Sequence, residues 1–384
     1  MMKYFDYAAT TPPYPEVIRS MAEIMEKHFG NPSSLHQYGE EADRLVRHAK
    51  EVTAQLLGVK PNEIIWTSGA TESNNFALKG AAMRGGRTQG HIITTSIEHP
   101  SVYECCRQLE QIGFEISYID PAPDGIVLLE DIQNALRADT IIVSMMHVNN
   151  ETGAVQPVQQ VSEWLKKVQP RTLMHVDGVQ GFGKLPIELA KWNIDLYSLS
   201  AHKIRGPKGT GLLYIKQGTE LFPLLAGGGQ ENGYRSGTEN VAGIVGMTKA
   251  LRLAATEQYA LAERLTAFSQ LLKTEIQAID GLVLTNPAIA SPHIIHFYYP
   301  GMKSEVILHS LEQQGCIVST QSACSSRKAE PSRVLVAMGI TREHAASGIR
   351  ISLGDQHTKQ DIEHLITALR QTVTQLRPLE RRTR

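Results

Sequence analysis

Ser198-Leu-Ser-Ala-His-Lys203 runs directly into Ile204-Arg-Gly-Pro-Lys-Gly-Thr-Gly211. A lysine just after hydroxyl and imidazole donors, with a glycine-rich turn behind it, suits pyridoxal phosphate (PLP). The ε-amine of Lys203 can hold the aldehyde as a Schiff base, and Ser200 and His202 can donate to the phosphate. Taken alone, the stretch reads equally well as a surface loop with a solvated lysine. Upstream, Leu173-Met-His-Val-Asp-Gly-Val-Gln180 breaks the tie. It reads as a short buried strand ending in Asp177, whose carboxylate can accept the pyridinium N–H and keep the ring an electron sink.

Around these two stretches the chain is ordinary in composition. Its 384 residues suffice for a large core and two domains, and 42% are hydrophobic and 20% charged. A formal net charge of −1 gives no global field toward nucleic acid or an anionic membrane. No apolar run approaches the roughly 20 residues that span a bilayer, and the start lacks a basic-then-apolar signal pattern. Cys105, Cys106, Cys316 and Cys324 show no CxxC spacing and are too sparse for a disulfide scaffold, so a cytoplasmic location is expected. The 14 histidines show no HxxxH pairing, and no resident metal site is expected.

Taken in order, the chain opens with an arm, Lys3 to Thr11, followed by an amphipathic helix from about Pro15 to His28. Apolar residues at helical spacing predict a second helix over Glu40–Leu57, ended by Gly58. Ile64–Thr67 reads as a strand, and Ser68-Gly-Ala-Thr-Glu-Ser-Asn-Asn75 as the turn into a helix. Such a helix N-terminus is a ready phosphate site, although Thr71 or Ser73 would also serve as an ordinary N-cap. Strands follow at Ile92–Thr95, before Glu98-His99-Pro100, and at Ile141–Met145, before His147-Val-Asn-Asn-Glu-Thr-Gly153. The strand–helix alternation from 60 to 215 predicts a mainly parallel sheet with helices on both faces. In such sheets ligands gather at the carboxyl ends of strands, where His99, Asn149, Asp177 and Lys203 all fall.

After a strand at Leu212–Ile215, Gly227–Thr238 reads as a long loop whose Arg235, Ser236 and Thr238 could reach phosphate. A long helix from about Asn240 to Ile279 leads to a second unit, with strands near His293–Tyr298 and Cys316–Ser319 and a helix at Lys303–Gln314. Within it, Ser319–Ser332 is rich in small polar residues and reads as an exposed loop. Cys324 on that loop is a candidate nucleophile, whereas Cys105, Cys106 and Cys316 read as packing. Arg350 lies in the apolar run Ser347-Gly-Ile-Arg-Ile-Ser-Leu-Gly354 and needs an anionic partner. A substrate carboxylate or an internal Asp or Glu would serve equally.

These segments together resemble the PLP-dependent cysteine desulfurases of the NifS/IscS type. The matching stretches are Tyr7-Ala-Ala-Thr-Thr, Gly30-Asn-Pro-Ser-Ser, Thr67-Ser-Gly-Ala-Thr-Glu-Ser-Asn-Asn, Glu98-His-Pro and Val148-Asn-Asn-Glu-Thr-Gly. They continue with Val176-Asp-Gly-Val-Gln, Ser200-Ala-His-Lys, Arg235-Ser-Gly-Thr, Ser322-Ala-Cys-Ser-Ser and Gly348-Ile-Arg-Ile-Ser-Leu-Gly. They span nearly the whole chain in the expected order.

The resemblance implies the α/β architecture of PLP fold type I, with a mainly parallel seven-stranded sheet. The large PLP-binding domain would cover 16–250, and 1–15 with 251–384 would form the small domain carrying the cysteine loop, about 319–332. It implies a homodimer. Lys203 would be the Schiff-base lysine, Asp177 the pyridinium partner, Gln180 the ligand of the ring hydroxyl, and His99 would stack on the ring. Ala70, Thr71, Ser200 and His202 would hold the phosphate, with Thr238 reaching in from the other subunit. Asn149 would lie beside the ring, Asn31 and Arg350 would take the substrate carboxylate, and Cys324 would receive sulfur from L-cysteine. The loop resembles the long-loop branch, and Cys324 would be at most a transient iron–sulfur ligand. The Arg327-Lys328 pair departs mildly from the commoner uncharged form and leaves the acceptor open. An iron–sulfur scaffold or a tRNA-thiolation protein would take the sulfur, without direct nucleic-acid or membrane binding. A selenocysteine lyase or another fold-type-I aminotransferase would share Asp177 and Lys203 but would not need Cys324. A non-catalytic sulfur-trafficking protein would not need the lysine and aspartate.

Overall fold

The computed structural model describes residues 2–379 apart from Asn286 and 321–330. Cys324, the expected nucleophile, therefore lies outside the described residues.

The chain begins with β1 (Lys3–Tyr4), α1 (Pro15–Lys27) and α2 (Gln37–Leu57). α2 starts three residues before the predicted Glu40, because the His36 side chain accepts from the Gly39 N–H and caps it. The alternating region follows as β2 (Ile64–Thr67), α3 (Ala70–Ala82), β3 (His91–Thr95), α4 (Pro100–Gln111), β4 (Glu115–Ile119) and α5 (Leu129–Ala135). It continues through β5 (Thr140–Met146), α6 (Val158–Val168), β6 (Leu173–Asp177), β7 (Leu196–Ser200) and β8 (Gly211–Ile215).

Strands β2 to β8 form one seven-stranded sheet in the order β2-β8-β7-β6-β5-β3-β4. β7, β6, β5, β3 and β4 pair in parallel, while β8 runs antiparallel between β2 and β7. The residues of β5, β6, β7 and β8 are almost continuously buried, as expected where helices cover both faces, whereas the edge strand β4 is mostly half-buried. The predicted mainly parallel α/β architecture is borne out.

Downstream come α7 (Val241–Gln277), β9 (Val283–Thr285), β10 (Ile294–Tyr298), α8 (Ser304–Gln313) and β11 (Cys316–Ile317). The described chain ends with α9 (Arg333–Ala337), α10 (Arg342–Ala345), β12 (Gly348–Ser352) and α11 (Lys359–Leu376). β12, β10 and β9 make a three-stranded antiparallel sheet, and β1 pairs in parallel with β11. The long helix α7 serves both halves. Its residues up to Ala254 join the core beneath the large sheet, and those from Leu261 pack with β10, β12 and α11. Val334, Leu335, Met338 and Ala345 pack into the core of the large sheet rather than with the strands around them, so 333–345 is an excursion back onto the first unit. Ser332, read as the last residue of a loop, instead caps α9 through its hydroxyl.

The arm from Asp6 to Tyr14 is held along its length by both units. The Ser352 N–H donates to Phe5 O (2.7 Å), and Ala8 N–H to Ser352 Oγ (2.9 Å). On the other side, Thr11 N–H donates to His202 O (2.9 Å) and Tyr14 N–H to Arg205 O (2.9 Å). The arm thus ties β12 to the turn that carries Lys203.

Candidate active site

The carboxyl ends of β6 and β7 and the N-terminus of α3 open onto a cavity of about 500 Å³. Its walls include Ala70, Thr71, His99, Asp177, Gln180, Ser200, His202, Lys203 and Arg350. Three expected site residues are not in that wall. Asn31 is exposed, its Oδ1 accepting from the Ser33 N–H. Thr238 is exposed on the 227–238 loop. Asn149 is fully buried behind the wall; its Nδ2 donates to Ile97 O (3.1 Å), and its Oδ1 accepts from the N–H groups of Glu151 and Thr152. An amide so committed shapes the 149–153 turn, and Asn150 lines the cavity in its place.

At one end of the cavity, α3 starts without a side-chain cap. Its N-cap is Gly69 at φ 153°, a conformation only glycine adopts readily. Gly211 passes so close that a Cβ there would lie 2.6 Å from Gly69 Cα, so the backbones of β8 and the α3 turn touch. Neither candidate cap is used as one. Ser73 Oγ donates back to Gly69 O and Leu212 O, and Thr71 faces the cavity. The first N–H groups of a 13-residue helix, with its positive dipole end, are thus left for an anion beside Ser200 and His202.

Asp177 sits deeper, 6% exposed. It accepts from Val179 N–H (3.1 Å) and from Asn74 Nδ2 (2.8 Å). Burial pushes its carboxyl above the usual range, and those hydrogen bonds together with the Lys203 charge pull it back. A cationic ring nitrogen would be the natural complement of such a carboxylate. Asn74 also donates to Ser101 Oγ (2.9 Å), and Ser101 in turn meets His99 Nδ1 (2.8 Å). His99 Nδ1 additionally accepts from the Ser101 N–H (3.1 Å), so the imidazole is neutral with its proton on Nε2. Burial, reinforced by the charge of Lys203, lowers its pKa to about 4. Asp177 and His99 are therefore joined through Asn74 and Ser101, two residues the sequence reading did not assign to the site.

Lys203 Nζ donates to Ala8 O (2.5 Å) and Ala9 O (2.9 Å) on the N-terminal arm. Gln180 Nε2 shares Ala8 O (2.9 Å), and its Oε1 meets His293 Nε2 (3.2 Å). Arg350 is 1% exposed and ion-pairs with Asp6 (2.8 Å), the internal partner that its setting in β12 left open. Cys105, Cys106 and Cys316 are buried with thiols pushed up by burial, Cys105 to about 12 and Cys316 to about 11, which leaves them protonated and inert.

An uncapped helix N-terminus with two side-chain donors, a buried carboxylate, and a lysine beside them on one small cavity fit the phosphate, ring nitrogen and aldehyde of PLP. Aminotransferase class-V is the family model that matches, over residues 3–365. A protein named cysteine desulfurase IscS from Dictyoglomus turgidum is 43% identical over 378 residues, covering 98% of this chain and 95% of that one. Among solved structures, a NifS-like protein superposes with a TM-score of 0.92 at 37% identity, covering 98% of this chain and 100% of that one. SspA in complex with cysteine superposes with a TM-score of 0.81 at 36% identity, covering 91% and 98%. With a family model spanning nearly its whole length, the chain belongs to the class-V aminotransferase family, alongside relatives named cysteine desulfurase.

Proposed function

We propose that the protein is a PLP-dependent cysteine desulfurase, converting L-cysteine to L-alanine and a persulfide on Cys324. The observation that carries this reading is the meeting of Lys203, Asp177, His99, Arg350 and the uncapped α3 N-terminus on one cavity. The likeness to the IscS and NifS-like proteins supports it.

The α3 N-terminus, Ser200 and His202 would hold the phosphate, Asp177 the ring nitrogen and Lys203 the aldehyde carbon. When bound, PLP supplies an electron sink for charge developing at the substrate carbons. Arg350 takes the substrate carboxylate as a charge-assisted pair. Lys203 would move the proton at the substrate Cα, with neutral His99 as its partner. The Cys324 thiolate attacks the substrate sulfur. An S–S bond forms, the substrate C–S bond breaks with its electron pair staying on carbon, and that carbon is protonated to give L-alanine. The Cys324 persulfide then passes sulfur to an acceptor protein for iron–sulfur cluster assembly or tRNA thiolation.

We read residues 16–250 as the cofactor-binding domain, and 1–15 with 251–384 as the smaller one. A homodimer is supported by the exposed apolar surface of Met25, Phe29, Leu35 and Tyr38. No described helix is long and apolar enough to cross a membrane, which fits the proposed cytoplasmic location. Purified protein given L-cysteine and a thiol reductant should release alanine and sulfide in equal amounts. Lys203→Ala should lose both while melting near the wild-type temperature; alanine release by that variant would contradict the reading.

A further inference from the structure

Asp6 stands directly behind the cavity wall, ion-paired with Arg350, and the proposed reaction gives it no task. The Arg350 guanidinium donates through Nη1 to Asn150 O (2.7 Å) and through Nη2 to Asp6 Oδ1 (2.8 Å). Its Nε–H, also buried, has no acceptor among the described residues. Among the described residues, Asp6 is the carboxylate ion-paired with this almost fully buried arginine before any substrate arrives.

The backbone that carries that carboxylate is held beside Arg350. Asp6 bridges Ser352 on β12, and its neighbours are pinned on both sides. Phe5 N–H donates to Ile317 O (2.7 Å), Ser352 N–H to Phe5 O (2.7 Å), and Ala8 N–H to Ser352 Oγ (2.9 Å). A substrate carboxylate binding to Arg350 must therefore share the guanidinium with Asp6 rather than replace it. Two carboxylates on one guanidinium repel, and at the roughly 5–6 Å such sharing enforces, with an effective dielectric near 20, the repulsion corresponds to about a hundred- to three-hundredfold in affinity. Screening through the partly exposed edge of Asp6 reduces that to about tenfold. The substrate and the alanine product carry the same carboxylate, so the grip of Arg350 on one equals its grip on the other.

We propose that Asp6 is a positioning residue that pre-pairs Arg350 and weakens its hold on amino-acid carboxylates, so that L-alanine leaves the site after each turnover. This inference rests on the reading of Arg350 as the group that binds the substrate carboxylate.

The test is Asp6→Asn in the cofactor-loaded protein, which keeps the shape and the acceptor but removes the charge. The inhibition constant of L-alanine and the KM for L-cysteine should both fall about tenfold. The kcat should fall with them as product release slows. Inhibition by cysteamine, which lacks the carboxylate, should not change. Asp6→Glu, which retains the charge, should keep the alanine constant within about threefold of wild type. Asp6→Ser is a second neutral variant for use if Asp6→Asn does not fold. An alanine constant that stays put or rises in the neutral variants overturns the proposal, as does equal tightening in Asp6→Glu. Wild-type protein that yields no alanine from L-cysteine would instead overturn the reaction itself.

Discussion

Arg205 lies two residues beyond Lys203 with φ at 62°, a left-handed backbone that a non-glycine residue holds only under constraint. The constraint is visible. Its N–H donates to Thr11 Oγ1 (2.8 Å), its Nε to Pro12 O (3.0 Å), and its guanidinium lies 4.1 Å over the Tyr14 ring and ion-pairs with Asp355. Arg205→Ala removes all the side-chain contacts at once. Breaking a fully buried ion pair costs about 3–5 kcal/mol, and because the Asp355 side chain is 19% exposed, about 2–3 kcal/mol is expected here. Loss of the cation–π contact and of the Pro12 hydrogen bond adds about 1–2 kcal/mol. The total is about 4 kcal/mol, large against the 5–15 kcal/mol that holds a typical domain folded. Alanine keeps the left-handed strain of about 1–2 kcal/mol, whereas glycine does not. Arg205→Gly should therefore be about 1 kcal/mol more stable than Arg205→Ala despite the smaller side chain. Urea unfolding followed by circular dichroism measures both, and a double-mutant cycle with Asp355→Ala isolates the pair. A loss below about 1 kcal/mol for Arg205→Ala, or a glycine variant weaker than the alanine one, refutes the reasoning.

Two further predictions concern pH. Burial holds His99, His147 and His202 near pKa 4 and His175 and His296 near 3, so all five are neutral in the folded protein and must take up protons on unfolding in acid. Their contribution is present above the unfolded value of about 6.5 and is lost as pH falls toward 4; melting temperatures should drop steeply across that window, and a flat profile would contradict it. Glu98 behaves oppositely. Burial, with the Asp177 charge adding to it, lifts its carboxyl to about 8, while Oε1 accepts from Thr95 Oγ1 (2.7 Å) and Met146 N–H (2.8 Å). The stabilisation from the protonated acid is present below about 4.5 and lost as pH rises toward 8, so Glu98→Gln should melt near wild type at pH 5 and clearly above it at pH 8. An equal gap at both pH values would show that charge is not the cause.

The sheet was legible because apolar runs of four or five residues end in polar ones at the strand termini, and buried parallel strands leave that local pattern. Asp177 and Lys203 stood out for the same reason, each being a polar residue just past an apolar run. The cavity-wall role of Thr71 was legible only as an alternative to capping, and the structure decided it by leaving α3 without a side-chain cap. What the sequence could not display were pairings across the chain. Asp6 and Arg350 are 344 residues apart, and Asn74 reaches Asp177 across 103. A buried asparagine in the first turns of a helix was the only local hint of the Asn74–Ser101–His99 relay. Ser332 looked like loop because its small polar neighbours mask a cap whose hydroxyl also donates to Glu151 (2.5 Å), a contact 181 residues distant.

In the proposed reaction, sulfur moves from L-cysteine to Cys324. Intact-mass and peptide mass spectra of the cofactor-loaded protein, taken after one equivalent of L-cysteine without reductant, test it directly. One added sulfur atom on the peptide carrying Cys324 is expected, with an equal amount of L-alanine, and neither in Cys324→Ser. Alanine formed with no sulfur on that peptide, or formed undiminished by Cys324→Ser, would contradict it.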